Sequence, residues 1–97
     1  MSVDDKFYER ADAHIVLSNE QLNQIGSGKV AESMMFALAR FNSWISAGGY
    51  KSAEEMAEER AIIIEYFTTK YKSMLEENVD DYIANFDKYM DAEKEKS

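Results

Sequence analysis

Gly26-Ser27-Gly28-Lys29 has the glycines and the lysine of a phosphate-binding loop, followed by a run that favours helix. That motif needs a further glycine five residues before its second glycine and a Ser or Thr after the lysine, to cradle phosphate and hold magnesium. Asn23 and Val30 stand at those positions. The segment also follows a helical stretch where the motif follows a strand, so it reads as a turn between two helices. His14 is the single histidine. It lies one turn from Arg10 and from Ser18, and with Arg10 and Asn42 it forms a candidate inter-helix pocket in which it would act as a base or orient a ligand. A metal site of the helical-bundle type needs two Glu-x-x-His units, which one histidine cannot supply. The structural reading is a buried or half-buried histidine bonded to a neighbouring helix. Glu54 with Glu58, and Glu55 with Glu59, stand one helical turn apart, as do Glu77 and Asp81. Such pairs offer oxygens to a hard cation. They equally make a solvated acidic face where a helix N-terminus favours negative charge. No catalytic, cofactor-binding or metal-ligating residue is assigned, and no cofactor is implied.

The elements that must position these residues are helical. The 97 residues contain no proline, and glycine occurs only at 26, 28, 48 and 49. Both residues are costly in helix interiors, so long stretches without them favour helices. The first helix is expected from about Asp4 to Ile25, with Phe7, Ala11, Ile15, Leu22 and Ile25 on one face shared by His14 and Ser18. Gly26 suits a left-handed C-cap there, and Ser27 an N-cap for the next helix. The second helix is expected over 29–47. Val30, Met34, Ala37, Leu38, Phe41, Trp44 and Ile45 make a broad stripe, and Phe36 points away from it. That pattern suits a central helix sandwiched between neighbours.

Ser52-Ala53-Glu54-Glu55 is a capping box that opens the third helix. Its inner face is Met56, Arg60, Ile63, Ile64, Phe67, Tyr71, Met74 and Leu75. A break or kink is expected near Asn78, with Asn78 as N-cap and Asp81 at N3 of a fourth helix whose stripe is Val79, Tyr82, Ile83, Phe86 and Met90, with Tyr89 at its edge; the alternative is a dimer in which the unbroken helix pairs with its twin. Without that break the helix would run about 60 Å. The fold class is therefore all-α: a small bundle of three or four helices, the last two either separate or one long kinked helix. Residues 1–97 read as a single helical domain, with 91–97 a charged, fraying tail.

Composition narrows the function. The net charge of −8 repels a phosphate backbone and an anionic membrane surface, and attracts basic partners. The chain has no cysteine, which removes disulfides, thiolate metal sites and thiol catalysis. No apolar stretch follows Met1 as in a secretory signal. The longest strictly apolar run, 34–39, is far short of a membrane span. A cytoplasmic location is expected. Of the twelve aromatic residues, most fall on the inner stripes. Phe36 and Tyr66 do not, nor does Ile62, and a group of large apolar side chains off the stripe marks a candidate partner interface.

Four segments carry a family resemblance: residues 7–15 (FYERADAHI), 19–22 (NEQL), 39–42 (ARFN) and 74–83 (MLEENVDDYI). With them the chain resembles, over nearly its whole length, a family of short bacterial proteins classed as a domain of unknown function. The resemblance implies a bacterial, cytosolic, helical protein and transfers no activity, cofactor or site residue.

Three functions compete. The first is a non-enzymatic helical interaction module, self-associating as a homodimer or binding another protein. The second is a ligand-binding or enzymatic bundle using His14 and Arg10 in the inter-helix pocket. The third is an acidic decoy that occupies a nucleic-acid-binding protein.

Overall fold

A computed structural model describes the backbone of residues 3–96 and the side chains of residues 3–91. The chain is all-helical there: α1 Phe7–Leu22, α2 Ser27–Ala47, α3 Ala53–Glu58, α4 Arg60–Ala84 and α5 Phe86–Lys96. None of these helices is long and apolar enough to cross a membrane. The chain divides into two compact units, Met1–Ile45 and Ser46–Ser97. Of the stretch expected to fray, 91–97, residues 91–96 fall on α5, while residue 97 and the side chains beyond Asp91 lie outside what is described.

In the first unit the start of α1 is organised by Asp4. Its carboxylate accepts from the Lys6 amide at 3.1 Å, and its carbonyl accepts from the Phe7 amide at 3.1 Å. This is an Asx turn, in which a short acceptor side chain replaces a backbone turn. Helix α1 begins after that turn and not at Asp4. At its other end the chain tightens, with the Asn23 amide donating to the Glu20 carbonyl and the Gln24 amide to that of Gln21. Tightened i→i+3 bonds are a common way to satisfy the last carbonyls of a helix. The expected left-handed cap at Gly26 is not formed, since no described glycine has a positive φ. Gly26 instead caps α2: its carbonyl accepts from the Lys29 and Val30 amides, and Ser27 is already helical. The tightened turn has already reversed the chain, so a left-handed residue is not needed. Ser18 Oγ reaches Met34 Sδ at 3.9 Å. These residues are equidistant in sequence from Gly26, as an antiparallel pair folded about that residue requires. Val30, at 6% exposure, is the one buried residue among those described.

In the second unit Ser52 is the N-cap of α3, its hydroxyl accepting from the Glu55 amide at 3.1 Å. The capping signal is thus realised. Two features differ from the expected course. The first break comes at Glu59, which no glycine or proline marks. There φ is −101° and ψ is 8°, and the Glu59 amide donates to Met56 with a single i→i+3 step. Glutamate is a good helix former, so composition carries no sign of that step. The expected break near Asn78 is absent, and α4 runs through it. The Asn78 side-chain amide turns back to donate to the Met74 carbonyl at 2.8 Å, which leaves the backbone helical. The kink falls at Asn85, where φ is −122° and ψ is 28°. The Asn85 side chain donates to both the carbonyl and the carboxylate of Asp81, at 3.1 and 2.9 Å. Its own carbonyl accepts from the Tyr89 amide and starts α5.

The inner faces expected to be buried are largely open. Met34, Leu38, Phe41, Trp44 and Ile45 of α2 are exposed, so the first unit by itself does not enclose α2 as the central helix expected. On the third expected face Met56, Ile63 and Phe67 are half-buried, while Ile64, Tyr71, Met74 and Leu75 are exposed. Periodicity sets which side chains share a face; it does not supply a partner to cover it.

Removing the Ser52 hydroxyl tests the cap. Ser52→Ala should lower the free energy of opening α3 by ~1 kcal/mol, against a few tenths for Ser52→Gly. Hydrogen exchange at the Glu55 amide reads the difference.

Candidate interaction surface

The polar candidates are placed separately. Arg10 forms a two-pronged ion pair with Asp4, Nη1 to Oδ1 at 3.0 Å and Nη2 to Oδ2 at 2.8 Å. Parallel N–H···O bonds of this kind fix a guanidinium firmly in orientation. Both partners are exposed. His14 is exposed on α1, which corrects the expectation of a buried or half-buried histidine. The reason is that α1 buries none of its residues, so the face His14 occupies is not covered. Asn42 is half-buried on α2. Arg10 is thus engaged by Asp4, six residues upstream, in a contact that helical spacing alone does not reveal. Among the described residues no group of three His, Asp or Glu side chains converges as a metal ion would need.

The apolar candidates are the open ones. In the first unit Phe36 is 70% exposed and Trp44 is 71% exposed, with the Trp44 ring 5.9 Å from that of Phe41. In the second unit Ile62 is 65% exposed and Tyr66 is 54% exposed. These two stand one turn apart on α4 and, with Ala61 and Glu65, line a shallow depression. The Tyr66 ring packs edge-on to Phe67 at 5.0 Å, and Lys70 Nζ lies 5.5 Å from its centre. Tyr66 thus has an aromatic and a cationic neighbour within its own helix. The candidate group is carried by both units: Phe36 by the first, Ile62 and Tyr66 by the second.

Sequence reading missed a cluster at the α4–α5 kink. Asp81 accepts from Asn85 through one carboxylate oxygen and from the Tyr89 hydroxyl, at 2.9 Å, through the other. Tyr89 also stacks at a tilt on Tyr82, 4.5 Å between centres. Asp81, Asn85 and Tyr89 are spaced by four, so one row of a helix joins them. That spacing was the available signal.

Two acidic groups, Asp4 and Tyr89, are shifted by these contacts, and the Arg10 guanidinium is raised by its hydrogen bonds to Asp4. The Arg10 hydrogen bonds hold the Asp4 carboxyl down at about 2, from an ordinary 3.8. The pair is therefore intact above the ordinary carboxylate range and is lost as pH falls through about 2. Donation to Asp81 raises the Tyr89 phenol above its ordinary value, because ionisation would set two anions together.

A family model described as "Protein of unknown function (DUF3144)" matches residues 7–83, from the start of α1 to the penultimate residue of α4. The chain is similar to the NMR structure of the protein NB7890A from Shewanella sp., at 36% identity and a TM-score of 0.76, with 95% of this chain and 98% of that chain covered. No curated protein matches it.

Both shifts can be checked by titration. In an NMR titration the Asp4 carboxyl should have its midpoint near 2, and Arg10→Gln should return it toward the ordinary value. In an ultraviolet titration Asp81→Asn should lower the pH at which Tyr89 ionises; an unmoved Tyr89 would mean that the bond to Asp81 is not made in solution.

Proposed function

The chain belongs to the DUF3144 family of proteins of unknown function, and from that premise we propose that it is a non-enzymatic, self-associating helical interaction module. The observation that carries this reading is uncovered apolar surface. Large apolar side chains stand more than half exposed in each of the two units. Apolar patches beyond a few hundred Å² mark interaction surfaces. Here they include Phe36 and Trp44 on α2, and Ile62, Tyr66 and Ile83 on α4. Phe36, Ile62 and Tyr66 are the proposed contact group for a protein partner. The net charge of −8 favours a basic partner over nucleic acid or an anionic membrane. The bacterial cytoplasm is the setting that the family resemblance implies.

The ligand-binding alternative has less behind it, because Arg10 is engaged by Asp4 and His14 is open to solvent. The acidic-decoy alternative rests on net charge alone.

Sedimentation velocity over a wide dilution range tests self-association. The expected result is a species of twice 11.2 kDa, or a higher multiple, that dissociates on dilution. A fixed monomer at every concentration would overturn the proposal.

A further inference from the structure

The 25 residues of α4 carry opposite charge on their two halves. Arg60, Lys70 and Lys72 stand in the first half with a single acid, Glu65. Glu76, Glu77, Asp80 and Asp81 stand in the second with no base. Between them runs a seam with the alternating three- and four-residue spacing of a coiled coil: Ile64, Phe67, Tyr71, Met74, Asn78 and Asp81. None of these is fully buried, and Ile64, Tyr71 and Met74 are exposed.

We infer that α4 pairs antiparallel with α4 of a second copy of this chain, with Phe67 of each copy opposite Asn78 of the other and Tyr71 opposite Met74. The inference rests on the self-association proposed above and specifies the face and the direction. Charge selects the direction. Parallel, in-register pairing would set four carboxylates beside the same four and bring like charges together along the acidic half. Antiparallel pairing lays the basic half of each helix along the acidic half of the other.

Charge also selects the register. Lys70 and Glu77 are the residues that flank the seam on the side where antiparallel helices exchange ion pairs. With Tyr71 facing Met74, Lys70 of each copy meets Glu77 of the other, twice by symmetry. Sliding one helix by a heptad in one direction sets Glu77 against Glu77. Sliding it in the other sets Lys70 against Lys70. A seam asparagine often pairs with its own copy in parallel dimers. Here the Asn78 side-chain amide already donates to the Met74 carbonyl at 2.8 Å, so one of its two N–H donors is satisfied within its own helix when it faces Phe67.

The chain has no cysteine, so introduced thiols report alone. Asn78 lies eleven residues from Phe67, or about 16 Å along the helix, and a disulfide needs Cα atoms within about 7 Å. Under mild oxidation of the full chain, Phe67→Cys alone and Asn78→Cys alone should stay unlinked, and an equimolar mixture should form the mixed disulfide dimer. Charge exchange gives a second readout that leaves the seam intact. Lys70→Glu and Glu77→Lys should each weaken the dimer about tenfold at low salt, and the double variant should restore it. Glu77→Lys is the sharper arm, because it lowers the net negative charge and would strengthen association if overall repulsion were the controlling effect. Linking of either single-cysteine variant to its own copy would mean parallel pairing and overturn the inference. A dimer that persists while neither the mixture links nor the charge variants respond would overturn the pairing through α4 and leave self-association standing. A monomer at every concentration, as when the seam is covered within one chain, overturns both.

Discussion

The need to cover apolar side chains governs this protein at every level. Each long helix carries a stripe of Ile, Leu, Met and aromatic residues, and removing such surface from water is the main force available to hold helices together. Within each unit by itself that force is largely unspent. Val30, next to the turn between α1 and α2, is the single buried residue among those described, while Trp44, Phe41, Tyr71 and Leu75 remain open. The order seen in the chain therefore comes mainly from local bonds: the Asx turn at Asp4, the Ser52 cap and the back-bonded asparagines. Such contacts set where helices start and bend. They do not cover the apolar stripes. A further surface to pack against is the natural remedy for a small domain, and the proposed function follows from that shortfall.

Polar contacts show a matching division of labour. Asp4 with Arg10 and Asp81 with Asn85 and Tyr89 each place a carboxylate among donors at a helix boundary. Both clusters are exposed or half-exposed, so each shapes the backbone more than it adds to stability. Asp81 is the more consequential. It is a branch point for two side chains one and two turns downstream, and it places the kink at Asn85 and not at Asn78. Both asparagines turn their amides back to the carbonyl four residues earlier. Only at Asn85 does a carboxylate, itself bonded to Tyr89, accept from the same amide.

Residue type and spacing determined a good deal. Helical class, the borders at Gly26 and at Gly48-Gly49, the Ser52 cap and the faces along which apolar residues align all follow from short-range geometry, which a linear sequence encodes directly. Family membership was also legible in the segments at 7–15, 19–22, 39–42 and 74–83. The rejection of the loop at 26–29 as a phosphate site needed only the missing glycine and hydroxyl. What only the tertiary structure decided was which of those faces is covered, which donor each carboxylate meets, and where the last long helix bends. The open stripe of α2, the exposure of His14, the Asp4–Arg10 pair, the step at Glu59 and the kink at Asn85 all depend on which side chains and which second surface lie within reach. Helical periodicity assigns residues to a face and is silent about what lies opposite, because burial belongs to a pair of surfaces and not to either one alone.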